Sequence, residues 1–402
     1  MYLVKFLLIG ALWSIIFGEF SRFPFGNSGG SIYISDILIF LSLSCSFIWI
    51  VSKGLKIFIP RNFNLILVFY LIALLSLVFS LKDLAILEMA QGSLYLIRFI
   101  LYSSVLFLVF NLSLNKILLK DELLKHLMFS GGLFLLLGFL QLLILPDFES
   151  PIFNLTDYGY DPHKFRLAST FLDPNFAGSF LILILVVCLI YLKNWWRVFI
   201  CCLLSLGVVL TYSRSAYLMF LVTLTSWYFF SWNKFNLTQK ILSVCLPIFL
   251  IALTFVIFPR FQERLIGGVT IDKSSEERFE SWNKGLQIFK SSPIFGVGFN
   301  NLRVAFEKQN LFENYSSDGG HGGGGVDSSF LLVLASTGLL GFLTYFAFWI
   351  STLTYLLRLK SKIIFCLILG LLVNSQFINS LFFVPIMFWF FALLGTAYSE
   401  EA

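Results

Sequence analysis

Apolar runs of about 16–22 residues recur along the whole chain, and a run of that size can cross a hydrocarbon core as a helix. Only α-helices or closed barrels satisfy their backbone groups there, and these runs lack the alternation of barrel strands. Charged residues make up 12% of the chain, against about 25% in a soluble domain. Hydrophobic residues reach 58%, with 49 Phe, and the mean hydropathy is +0.88. The chain reads as an all-α polytopic membrane protein.

Twelve spans are expected, at 3–18, 34–52, 64–80, 93–111, 127–145, 175–192, 197–211, 215–231, 241–258, 328–356, 363–380 and 384–398. One set of connections carries Lys53, Lys56, Arg61, Lys116, Lys120, Lys125, Lys193, Arg197, Lys234, Lys240, Arg358, Lys360 and Lys362. The short alternate connections carry only Arg22, Lys82 and Arg214. Basic residues stay on the cytoplasmic side, so the first set and both termini are expected there. The N-terminal run has no small-residue cleavage site after it and is expected to remain as a span.

Polar groups are gathered in one place. The stretch 259–327 holds eight Lys/Arg and nine Asp/Glu, and it faces outward with the 146–174 loop on the same reading. Four parts follow: an N-terminal bundle at 1–145; spans with an outward loop and a Ser-Arg turn at 146–258; a large, partly helical outward loop at 259–327; and C-terminal helices at 328–402. The net charge of +6 is accounted for by the orientation bias and calls for no nucleic-acid partner. All six cysteines fall inside apolar runs, which leaves no disulfide framework or metal site. No Asp-x-Asp pair, HExxH or phosphate-binding Gly-rich Lys-Ser/Thr loop occurs, so no cofactor is expected.

Outward-facing arginines are the groups best suited to hold a diphosphate, because guanidinium forks match phosphate geometry. Arg166 precedes Asp173, Pro174 and Asn175, where Pro174 suits the first turn of a helix and Asp173 its cap. That helix start reads either as an outward anion site or as a plain cap with Arg166 at the headgroups. Arg214 sits in the turn of TYSRSA, where a near-membrane arginine faces a cavity or marks the membrane edge. Arg98 lies deeper in its span, either paired with a carboxylate or lining a cavity.

Within the long loop, SSEERFESWNKGLQIFK (274–290) has a capping box, Ser274 with Glu277, and an expected apolar stripe of Phe279, Trp282, Leu286 and Phe289. Arg278 and Trp282 are i,i+4 neighbours and could share a cation–π contact or a pocket wall. The alternative is an interfacial helix anchored to lipid by its aromatics. Arg303 lies on a second amphipathic stretch. His321 stands in a Gly-rich tract, as a ligand contact or a solvated loop histidine. Asp327 opens the next span, as an N-cap or a placed base. A helix N-terminus lowers a carboxylate's pKa, so Asp327 is expected to be ionised and a weak base.

Four segments in this order resemble the O-antigen polymerase/ligase family of bacterial envelope glycosyltransferases, which includes Wzy-type repeat-unit polymerases. They are RLASTFLDPNFAG, TYSRSA, ERFESWNKGLQIFKSSPIFGVGFNNL and DSSFLLVLASTGLLGFL, spread over about residues 160–345. The resemblance implies a fold like that of lipid-linked-sugar (GT-C-like) glycosyltransferases. It also implies inverting transfer of a glycan from undecaprenyl diphosphate at the outer face of the bacterial cytoplasmic membrane. By motif, Arg166, Arg214 and Arg278 would contact the diphosphate. From the reading of the residues themselves, Asp327 and His321 are expected to serve the chemistry, and Asn175, Asp173, Trp282, Arg303 and Arg98 to serve binding. Partners implied are lipid-linked glycan donor and acceptor, membrane lipid and a chain-length regulator. Ligases joining O-antigen to lipid A-core typically carry His-Asn where this chain has Asp327-Ser328, which favours polymerase over ligase. A lipid-glycan transporter remains a reading of another class, as does a membrane scaffold. The transporter would bring two similar halves and polar breaks at mid-bilayer.

Overall fold

A computed structural model describes residues 2–25, 30–53, 57–82, 86–150, 154–232, 273–311, 325–359 and 362–400. The expected span at 241–258, residues 319–324 of the Gly tract and His321 lie outside them.

The described chain is helical almost throughout. It runs α1 (Tyr2–Ile15), α2 (Ile34–Lys53), α3 (Phe63–Phe79), α4 (Ile86–Leu114), α5 (Lys120–Ile144), α6 (Pro174–Tyr191), α7 (Asn194–Leu210) and α8 (Arg214–Ser231). Then come α9 (Lys273–Ser291), α10 (Leu302–Lys308), α11 (Ser329–Arg358), α12 (Lys362–Asn374) and α13 (Val384–Ser399). A two-stranded antiparallel ribbon, β1 (Arg22–Phe25) and β2 (Gly30–Tyr33), joins α1 to α2, with Arg22 opposite Tyr33. By length and composition five described helices could cross a membrane: Ile34–Ser52, Glu88–Leu114, Lys120–Ile144, Pro174–Tyr191 and Ser329–Arg358. Five shorter apolar helices accompany them. This is a polytopic membrane protein.

A helix apolar on every side must be enclosed, and α13 is: every residue from Val384 to Tyr398 is buried. Helix α4 packs along it, and α6, largely buried from Ala177 to Cys188, lies beside it. Around this centre α1 pairs with α2, α3 with α11, α6 with α7 and α8 with α12. Outward-facing apolar side chains such as Phe6, Phe47, Leu143 and Phe229 are exposed in the isolated chain, as lipid-facing positions should be.

The helices depart from expectation in three places. The run expected at 328–356 is broken at Gly338, whose φ of 68° and ψ of −169° interrupt α11. The turn Pro293–Gly298 docks into that break. Val297 N–H donates to the Ala335 carbonyl at 3.3 Å, Gly298 N–H to that of Ser336 at 3.0 Å, and Leu339 N–H to that of Pro293 at 2.8 Å. Ser76 Oγ adds a donor to the Ser336 carbonyl at 2.7 Å. Backbone groups freed by a broken helix need such partners in a membrane protein. Gly296, at φ 69°, lies against the Ser336 backbone so closely that a Cβ would sit 2.3 Å from its carbonyl carbon. The second departure is the span expected at 363–380, which ends at Asn374. Residues 375–383 form a turn held by Ser329, whose amide donates to the Ser375 carbonyl at 2.8 Å and whose Oγ accepts from Leu381 N–H at 3.3 Å. The third is the α9 stripe. Its enclosed face is Gly285 and Ile288 with Ser281 and Trp282 partly covered, while Phe279 and Leu286 are exposed. A glycine facing Val326 and Leu331 allows close packing that a hydropathy stripe does not register.

Candidate functional site

The chain reaches the site first through α6. Asp173 caps it, accepting from the amides of Asn175 at 2.7 Å and Phe176 at 3.3 Å, with Pro174 in the first turn. Those amides are therefore committed to the Asp173 carboxylate, which takes the place of an external anion. Burial pushes the Asp173 carboxyl above its usual range, against the opposing pull of the Asn175 amide and Arg166.

Asn175 then reaches across to the next turn. Its Oδ1 accepts from Ser213 Oγ at 2.9 Å and from an Arg166 terminal nitrogen at 3.3 Å. Arg166 is buried, and its Nε donates to the Thr211 carbonyl at 2.9 Å while another terminal nitrogen lies 3.4 Å from His163 Nδ1. Ser213 caps α8, accepting from the Ala216 amide at 3.4 Å. Tyr212 takes a positive φ of 49° to make the turn. Arg166 and Asn175 thus grip the Thr211–Ser213 turn, and the first helical residue after it is Arg214.

Arg214 and Arg278 line one cavity of about 220 Å³, although 64 positions separate them in sequence. Ser215, Leu218, Phe279, Trp282 and Phe377 complete its described lining. Both guanidiniums are half-buried, and among the described residues no carboxylate lines the space. A concave site with two guanidiniums and aromatic walls suits an anionic group joined to an apolar one.

Asp327 stands beside this cavity. Its amide donates to Ser281 Oγ at 2.9 Å and its carbonyl accepts from Trp282 Nε1 at 3.1 Å. Ser328, not Asp327, caps α11, accepting from the Leu331 amide at 3.3 Å. The N-cap reading of Asp327 is thereby corrected, and its carboxylate is released from capping. The expected lowering of its pKa is also corrected: burial raises it to about 6, and Arg278 only partly opposes the rise. The Asp-Ser-Ser triplet has three separate duties, with Ser329 pinning the 375–381 turn that carries Phe377.

The other expected site residues lie elsewhere. Arg98 pairs with Asp36 at 2.8 Å and lines a second cavity. Arg303 is exposed on α10, 3.6 Å from Glu307. Trp282 shares a wall with Arg278, one of the two arrangements expected for the pair. Phe377, Ser281, His163 and Thr211 escaped the sequence reading. Phe377, Ser281 and Thr211 act through long-range contacts, whereas His163 meets Arg166 only three residues on.

Residues 199–346 match the family model described as O-antigen ligase. This stretch belongs to the O-antigen polymerase/ligase family. It contains Arg214, Arg278, Trp282 and Asp327, together with the Gly338 break. The match gives this stretch a general likeness to membrane enzymes of the glycosyltransferase kind. The Arg166–Asn175 segment lies outside the matched residues. No curated protein matches the chain.

Proposed function

We propose that this protein polymerises undecaprenyl-diphosphate-linked repeat units of O-antigen or a related surface polysaccharide at the outer face of the bacterial cytoplasmic membrane. The carrying observation is the single cavity lined by Arg214 and Arg278, with Asp327 tied to its Trp282 wall. An acceptor sugar hydroxyl attacks the anomeric carbon of the donor glycan, the bond from that carbon to the diphosphate oxygen breaks, and configuration inverts. Negative charge grows on the departing diphosphate, where two placed guanidiniums stabilise it without requiring a metal ion. Asp327, raised to about 6, is ionised at neutral pH yet basic enough to accept the hydroxyl proton. In this reading Arg166 and Asn175 position the Arg214 turn, and they need not touch substrate.

The ligase reading draws on the printed description of the matching family. A ligase moves finished glycan once, onto lipid A-core, whereas a polymerase lengthens it on the carrier. Cells lacking this protein should still attach single repeat units to the envelope acceptor. A bare acceptor beside long lipid-linked glycan would favour the ligase.

A further inference from the structure

A second cavity, of about 230 Å³, opens between the end of α1, the ribbon, α4 and the turn before α13. Arg22 is paired with Glu19 at 3.0 Å, and Arg98 is paired with Asp36 at 2.8 Å, so both guanidiniums in its lining are neutralised. Such a space attracts a phosphate weakly. It does offer dense directional hydrogen bonding. Glu19 accepts from Tyr33 at 3.0 Å and from Tyr160 at 3.1 Å, and the buried Nε of Arg22 has no hydrogen-bond partner. The Arg98 guanidinium lies over the rings of Tyr33 at 5.2 Å and Tyr95 at 5.5 Å. Carboxylate and guanidinium forks bind pairs of hydroxyls, and tyrosine faces cover the C–H surface of a ring.

The two cavities share a connection. Phe377 walls the first, while Phe382, Phe383, Val384 and Pro385 wall the second, so both borrow from the turn pinned by Ser329. The segment whose Arg166 supports the first cavity also carries Tyr160, which donates to Glu19 in the lining of the second.

We propose that the second cavity is a subsite for one uncharged sugar ring of the glycan being handled, away from the bond that reacts. This rests on the polymerase reading for the identity of the glycan, but its recognition chemistry is independent of the Arg214–Arg278 cavity. The subsite holds the repeat unit through Glu19, Arg22, Tyr33, Tyr95 and Arg98, and it contributes binding energy remote from the reacting centre.

The test uses the full-length protein in nanodiscs with the repeat-unit oligosaccharide released from its carrier, followed by saturation-transfer NMR. Glu19→Gln, which keeps the side chain's shape, and Tyr95→Ala, at an exposed position of α4, should each reduce the oligosaccharide signal at least fivefold. Arg214→Ala should leave it unchanged. In elongation assays the same two variants should raise KM about tenfold for one lipid-linked substrate, with kcat within about twofold. Varying the single-unit acceptor against a fixed chain-bearing donor, and then the reverse, assigns the sugar to one or the other. Wild-type signal in both Glu19→Gln and Tyr95→Ala, or no signal with the wild type, would overturn the subsite. Normal elongation by Arg214→Ala would instead overturn the polymerase site and leave the NMR result standing.

Discussion

Trp282 Nε1 donates to the main-chain carbonyl of Asp327 at 3.1 Å, and the same indole walls the cavity shared by Arg214 and Arg278. One side chain therefore sets both the position of the carboxylate and the shape of the space beside it. With Ser281 Oγ accepting from the Asp327 amide, α9 grips this residue from two successive positions.

Trp282→Phe keeps an aromatic wall and deletes the donor. A hydrogen bond contributes about 0.5–1.5 kcal/mol net, so kcat/KM should fall roughly three- to tenfold. Undecaprenyl diphosphate affinity should change less than about twofold. Steady-state kinetics and a binding titration on the same preparation measure both, and an unchanged rate would remove the positioning role.

Arg214→Ala and Arg278→Ala should each lower elongation by about ten- to hundred-fold, at the roughly 1.5–3 kcal/mol typical of hydrogen bonds to charged groups. Lysine at either position should recover only part, because a point charge loses the two-pronged fit. Membrane insertion should be normal, checked by detergent-extracted yield and a monodisperse elution profile.

The pH profile should carry an acid limb near 6. Below about 6 the Asp327 carboxyl already holds a proton and is too weakly basic to take another from the acceptor; above it the carboxylate acts as base. Asp327→Asn should insert normally and make little polymer, since Ser328 and not Asp327 caps α11. A flat profile from pH 5 to 7 would remove the base role.

Activity should survive excess EDTA, because Arg214 and Arg278 line one cavity and two guanidiniums can stabilise a leaving diphosphate without an ion. Loss of activity restored by magnesium or manganese would contradict this.

Gly338→Ala should destabilise the protein by more than about 2 kcal/mol, combining a left-handed φ with a clash. The added Cβ would lie 2.2 Å from the Ile294 carbonyl oxygen. Thermal unfolding of the purified variant should show a clearly lowered midpoint, and an unshifted midpoint would deny that the break is built in.

Some of this arrangement was legible in the sequence and some was not. Arg214 stood out because a charge between two apolar runs has few places to go, and Arg278 with Trp282 because helical spacing puts them on one side. That the two would meet was not readable, since the contact spans the stretch between α8 and α9. The break at Gly338 was hidden because Ser-Thr-Gly-Leu-Leu-Gly reads as one apolar run. Its cause lies in the Pro293–Gly298 turn packed against it. Asp36 was invisible as the partner of Arg98, 62 residues away, and with it went the second cavity. At Asp327 the helix-start rule chose the wrong residue by one position: Ser328 does the capping, and burial rather than the helix end decides the carboxyl's pKa.

The most direct test supplies purified protein with a single substrate, the undecaprenyl-diphosphate-linked repeat unit, and no lipid A-core. Products are resolved by length on a gel. Wild-type protein should give a ladder of lengthening lipid-linked glycan with release of undecaprenyl diphosphate, and Arg214→Ala and Arg278→Ala should give almost none. A substrate left at one repeat unit, consumed only when lipid A-core is added, would contradict the account and make this protein a ligase.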